Sequence, residues 1–294
     1  MTHLQGIEEE IQQVENMKDL METYESIAAL YMRRVKQSVV TSRAFFGGLQ
    51  AIYQEILTIY SSQVAPRRNK RITFRKRLRE IITLQGKQEA AVLFSTDMGL
   101  YGSIVEKTFQ PFLAYIRRHS VDPIIIGARG GVLLQELLPG ITPIILHLSD
   151  SSFNPEQFTA VAERLSHYKK ITLFYGKFES FINQAAAISV LGEDQPIATV
   201  PGINVSLAVK YLFEPSLTEV FHFFETEIFK SLLEQITHES YLAKLASRMF
   251  LLDTATVHAQ NMLQRILLDR QKIIHQNINK HQLELMASRI ALGI

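Results

Sequence analysis

The stretch STDMGLYGSIVEKTF, residues 95–109, decides the fold. An apolar run, AAVLF, stands before it and a helical pattern follows, so Gly99-Leu100-Tyr101-Gly102 reads as an elbow between a buried strand and a helix. Such elbows hold phosphate in dinucleotide-binding sheets, but only with G-x-G-x-x-G spacing, in which each glycine has its own steric task. Here two bulky residues separate Gly99 from Gly102, and the chain contains no Gly-Lys-Ser/Thr for a phosphate loop of the other kind. The elbow is therefore expected to be structural, with its glycines supplying backbone freedom.

Outward from the elbow, PIIIG (123–127), PIILHL (143–148), ITLFYGKF (171–178) and AAAISVL (185–191) read as further buried strands, with helical patterns near 104–118 and 155–168. The alternation predicts an α/β domain with a largely parallel sheet over residues 63–210. GARGG at 127–131 also misses the dinucleotide spacing and is expected to be a turn after its strand.

The two ends read differently. Residues 1–62 lack Pro throughout and Gly from 7 to 46, and Ile7, Val14, Met21, Ala28 and Val35 recur every seven positions. Met17, Tyr24 and Tyr31 are taken as the second row of the seam. The predicted helix, at ~1.5 Å per residue, is roughly 80 Å long. Residues 211–294 repeat the design, with Leu252, Ala259, Ile266 and Ile273 at sevens and Met249, Thr256 and Leu263 between them. The fold expected is thus α/β plus coiled coil: long N- and C-terminal helices in an antiparallel pair around an inserted Rossmann-like domain.

Composition narrows the function. Apolar residues make up 47% of 294, enough for a large core, and a net charge of +2 argues against a globally basic nucleic-acid binder. Cys is absent, which removes disulfides and thiol chemistry. The charged N-terminus has no secretory pattern, and no apolar window is long enough for a membrane span. The nine His residues show no metal spacing, and no nucleophile elbow occurs, so no catalytic group, cofactor or metal is expected. The basic run within PRRNKRITFRKRLRE, 66–80, is read as a solvated linker or ionic protein contact; binding nucleic acid through it is the rival reading. A nucleotide-binding enzyme with coiled-coil arms would need the missing phosphate motif.

This layout resembles the gamma subunit of F-type ATP synthases. Ile11, Val14, Asn16, Ala28, Ala29, Met32 and Arg33 fall in frame on that family's early-helix motif. Asp97, Gly99, Leu100 and Gly102 match its S-D-R-G-L-C-G-G, while Thr96, Met98, Tyr101 and Ser103 depart. FYGKFESFINQ (174–184) and YLFEP (211–215) resemble two further segments. Arg248, Met249, Ala255, Thr256 and Ala259 match the C-terminal motif A-R-M-x-A-M-x-x-A-T-x-N-A, with Ser247 in place of its first Ala. Ile278, Glu284, Ala291 and Leu292 fall on the family's ending, but its Arg-Gln pair becomes Ile274 and His275, and the Tyr-Asn before it Arg270 and Gln271.

The resemblance implies a divergent gamma subunit, of an alternative or sodium-type F-ATPase, with a gamma-derived adaptor of a repurposed F-like ATPase as the alternative. It implies a non-catalytic central rotor. Its partners would be the α and β subunits of the catalytic ring, an epsilon subunit and the membrane c-ring, at the cytoplasmic face of the cell membrane. Carried over by position, Arg270, Ile274, His275, Glu284 and Leu292 are the shaft contacts to β, with Leu292 and Ile294 as an apolar tip. Asp97, Gly99 and Gly102 are the structural elbow, and Met32, Arg33, Arg75, Lys76 and Arg77 are contacts for a foot on the c-ring.

Overall fold

The computed structural model describes residues 2–64, 89–97, 99–148, 154–192, 214 and 216–291. The basic run at 66–80, most of YLFEP, and Leu292 and Ile294 lie outside the described residues. The chain divides into two compact units: one runs to Leu30 and resumes at Arg248, and the other spans Tyr31–Ser247.

The second unit carries the sheet. Its described elements in chain order are the later part of α1 (Thr2–Val64), β1 (Glu89–Phe94), α2 (Ile104–Arg118), β2 (Asp122–Ile126), α3 (Ala128–Leu137), β3 (Ile144–Leu146), α4 (Pro155–Ser166), β4 (Lys170–Phe178), β5 (Gln184–Gly192) and the first part of α5 (Leu217–Ala291). The strand order is β3-β2-β1-β4-β5. The first four strands are parallel, with Val92 level with Ile124 on one side and Leu173 on the other. β5 returns antiparallel to β4, pairing Phe178 with Gln184. Parallel strands in the middle are buried on both faces, which is why they read as unbroken apolar runs rather than alternating ones. Ala91, Leu93, Ile125 and Phe174 face α2 and α3 through Phe109, Phe112, Leu113 and Leu134. Ala90, Val92, Phe94, Ile124 and Leu173 face α4 through Phe158, Val161 and Leu165, and α5 through Leu233 and Ile236.

GARGG is not simply a turn. Only Gly127 turns the chain, at φ +103°, and α3 starts at the next residue. A Cβ on Gly127 would lie 2.6 Å from the Thr96 backbone nitrogen, and one on Gly130 would lie 2.7 Å from Ser95 Cβ. The first turn of α3 is thus pressed against the end of β1, and its glycines are there for close approach. That need lowers the helical signal in the sequence and hides the helix.

In the first unit the outer parts of α1 and α5 pack together. The α5 rows are placed as expected: Leu252, Thr256, Ala259 and Ile266 are buried, and Met249, Leu263 and Ile273 half-buried. On α1 the heptad row of Ile7, Val14, Met21 and Ala28 is covered. The Met17 row is not covered at Met17, 55% exposed, or Tyr24, 44% exposed, while Tyr31, in the other unit, is half-buried. The covered second row lies on the other flank, at Ile11, Lys18 and Glu25. A two-helix seam covers one flank only, and here long charged side chains lay their stems along it while their heads reach solvent. Lys18 Nζ stands 3.4 Å from Glu22 Oε1, and Arg270 Nη2 donates to Glu8 Oε1 at 3.0 Å across the pair.

Gly127→Ala is expected to cost about 3 kcal/mol or more, because a left-handed backbone and a collision with main chain add together. Gly140, where a Cβ would meet nothing within 4 Å, serves as the control, with Gly140→Ala within about 0.5 kcal/mol of the parent in urea unfolding.

Candidate functional site

Open α/β sheets bind ligands at the carboxyl ends of the strands, where the strand order reverses. Here that point lies between β1, which leads through α2 to β2 on one side, and β4, which arrives through α4 on the other. The elbow after β1 borders this crevice, and α5 fills it. Lys244 Nζ donates to the Ser95 carbonyl at the end of β1. Ser247 Oγ donates to the Tyr101 carbonyl at 2.7 Å. A Cβ on Gly102, whose φ is +58°, would lie 2.7 Å from Ser247 Oγ, and one on Gly176 of β4 would lie 3.3 Å from Ala243 Cβ and 2.9 Å from Ile104 Cγ1. Ala243, Lys244 and Ser247 are one helical face, and the approach a phosphate would need is taken by it. The crevice is a socket for the chain's own helix.

The elbow residues divide the work. Leu100 adopts φ +66° and Gly102 is left-handed beside it. Around Gly99 a Cβ would meet nothing within 4 Å. Asp97 Oδ1 accepts from the Ala128 amide at 2.7 Å, capping α3 from another loop. That places a carboxylate at the positive end of the α3 dipole. His147 Nδ1 lies 3.3 Å from the same oxygen. Among the described residues no group of three His, Asp or Glu is placed to hold a metal ion.

Further along α5, Glu239 is 3% exposed and accepts from Arg43 Nη2 of α1 at 2.5 Å. Arg43 is itself 48% exposed, so the pair is only half-buried and solvent screens it. The Tyr175 hydroxyl, 3.3 Å from Ser189 Oγ, is in the same neighbourhood. Burial pushes the Tyr175 phenol above its usual range and the Glu239 carboxylate adds to this, while the Ser189 hydrogen bond and Arg43 oppose it.

The sequence reading missed Lys244, Arg43 and Glu239 as structural partners. Ser247 did carry a signal, since it departs from the family's Ala, and its extra oxygen makes the bond to the Tyr101 backbone carbonyl. The shaft candidates are scattered. Arg270 is engaged with Glu8, Ile274 is half-buried beside the seam, and His275 and Glu284 are exposed. Met32 is half-buried and Arg33 exposed, both on the part of α1 in the sheet-bearing unit. Arg75, Lys76, Arg77 and Leu292 lie outside the described residues.

The family model described as ATP synthase matches residues 3–292. The chain belongs to the ATP synthase gamma chain family. It resembles the ATP synthase gamma chain of Roseiflexus sp. (strain RS-1), at 23% identity over 100% of this chain and 99% of that one. The gamma chain of Geobacter sp. (strain M21) is 22% identical over 91% of each chain. In fold it matches a chain of the Euglena gracilis mitochondrial ATP synthase, from a structure of OSCP, F1 and c-ring in rotational state 3. The TM-score is 0.63 at 14% identity, covering 99% of this chain and 95% of that one. At these identities it is a divergent member. As a gamma subunit it is the rotor of the central stalk and does no chemistry itself. No helix among the described residues is long and apolar enough to cross a membrane.

Two measurements test the socket. Ser247→Ala should cost about 1 kcal/mol, by removing a buried hydrogen bond, and Gly102→Ala about 2–3 kcal/mol. Because the added methyl collides with Ser247 Oγ, Gly102→Ala should cost about 1 kcal/mol less in the Ser247→Ala background. Additive costs in denaturant titrations would contradict the contact. The raised Tyr175 pKa means that the folded state holds this proton more tightly than the unfolded one. Its contribution is complete below pH about 10 and is lost as pH rises through the folded pKa. Tyr175→Phe should therefore flatten the fall in stability above pH about 10.

Proposed function

We propose that this rotor turns inside a ring of α and β subunits, its paired helices contacting the β subunits, while the sheet-bearing unit binds the membrane c-ring and an epsilon subunit. The assembly would lie at the cytoplasmic face of the cell membrane. The observation that carries this reading is the outward surface of the helix pair. Met17, Leu20, Tyr24 and Ile27 form a second row on α1, each between 44% and 55% exposed. Every residue of α5 from His275 to Ser288 is exposed, and Ile278, Leu283, Leu285 and Met286 lie among them. Apolar rows of this length need a cover, and an apolar bearing surface has no directed bonds to break at each step.

A shaft that is not symmetric touches each β subunit differently. Contact differences of about 3 kcal/mol shift an open-to-closed equilibrium by roughly a hundredfold. Rotation then carries each site through binding, chemistry and release by differential contact. Ile274 and His275, where the family has Arg and Gln, replace a polar catch with a seam residue and an imidazole. They favour a second reading, a gamma-derived adaptor of a repurposed F-like ATPase.

Native mass spectrometry with the α and β subunits of the same organism, followed by an ATPase assay, separates the two. One copy held in an α/β hexamer with multi-site turnover is expected. A folded chain that forms no complex would favour the adaptor. Met17→Glu with Tyr24→Glu should weaken assembly about tenfold or more without unfolding the chain, since both side chains are already in water. Reversing Arg75, Lys76 and Arg77 should weaken binding to the c-ring and epsilon subunit; unchanged binding removes those residues from the foot.

A further inference from the structure

Helix α1 contains adjacent glycines, Gly47 and Gly48, inside 63 helical residues. Gly102, Gly127, Gly130, Gly131 and Gly176 mark close approaches, each with an atom within 3 Å of where a Cβ would stand, whereas Gly6, Gly99 and Gly140 have none within 4 Å. Gly47 and Gly48 have nothing within 4 Å. Neither shows the left-handed backbone found at Gly102 and Gly127. Packing and backbone geometry therefore accept alanine at both sites, and each glycine weakens the helix by about 1 kcal/mol relative to alanine.

Their surroundings match. Val35, Val39 and Ser42 are buried before the pair and Tyr53 after it, but no residue from Arg43 to Ile52 is buried. Arg43 is held by Glu239 at 2.5 Å, and the Tyr53 ring lies 6.3 Å from that of Phe224. Among the described residues the two glycines thus sit in a span with no buried side chain, Phe46, Leu49 and Ala51 being half-buried, between the contacts made by Arg43 and Tyr53. Helix α5 is the opposite case. It has no glycine or proline, and its residues Leu242–Ser247 are all buried.

We infer that Gly47–Gly48 is a compliant joint in α1: a place where the helix opens and bends while its flanks and α5 stay closed. In a rotor, which is the reading above, the joint lets α1 yield under load while α5, bound in its socket, transmits it. The inference about the joint itself does not need the complex, so it can fail independently of that reading.

The test is hydrogen–deuterium exchange, read by mass spectrometry on the full chain, with and without Gly47→Ala/Gly48→Ala. Amides at 45–51 should exchange about tenfold or more faster than those at 34–40, and the double variant should slow them about tenfold or more, with 34–40 unchanged. The single variant Gly48→Ala should fall between. Uniform protection across 34–51 in the parent chain would overturn the joint, and so would a double variant that exchanges as fast as the parent at 45–51.

Discussion

The seat of α5 at the carboxyl end of β1 is the contact on which the sheet-bearing unit depends. A buried ammonium needs a partner, and Lys244 finds the Ser95 carbonyl. Ser247 adds a second bond one turn on, to Tyr101. Neither contact tolerates a shift of α5 along its axis, since one residue of slip is ~1.5 Å and a hydrogen bond does not survive it. The helix is thus indexed to the sheet. The glycines of the elbow and of α3 follow from this: the end of β1 is approached by α5 on one side and by α3 on the other, and no side chain fits at Gly102, Gly127 or Gly130.

The same seat explains why a Rossmann-like sheet here serves a mechanical role. The architecture keeps the strand order and the strand-to-helix elbow of a nucleotide-binding domain, yet the crevice is occupied by the chain itself. Function in such folds belongs to the site and not to the topology. The two hydrogen bonds that fill this site also fix the first part of α5 to the sheet.

Much of this was legible in the sequence, and the parts that were not share a cause. The strands announced themselves as apolar runs, and the long helices through seven-residue recurrence and the lack of Gly and Pro. Helix α3 was hidden because its first turn is glycine-rich for packing, a long-range demand that overrides local propensity. On α1 the recurrence located one row of the seam, but the Met17 row is the more apolar of two candidates and the structure covers the other, with Lys18 and Glu25. Hydrophobicity alone cannot separate a row that faces its own chain from one that faces outward. The socket was invisible for a simpler reason: Lys244 and Ser95 are 149 positions apart, and no local pattern links them.

The charged flank of the α1 seam bears on how the chain is made. The partner strip of α5 begins at Arg248, 218 positions after Leu30. A ribosome adding about 5–20 residues per second needs on the order of ten to forty seconds to cover that distance. For all of that time the outer part of α1 exists without its mate. Its exposed Met17 row lies beside the heptad row of Ile7 and Val14, and both are open to the same helix on a neighbouring nascent chain. Lys18 and Glu25 keep the opposite flank hydrated. The charged flank thus leaves a waiting α1 with one apolar flank beside its heptad row rather than two.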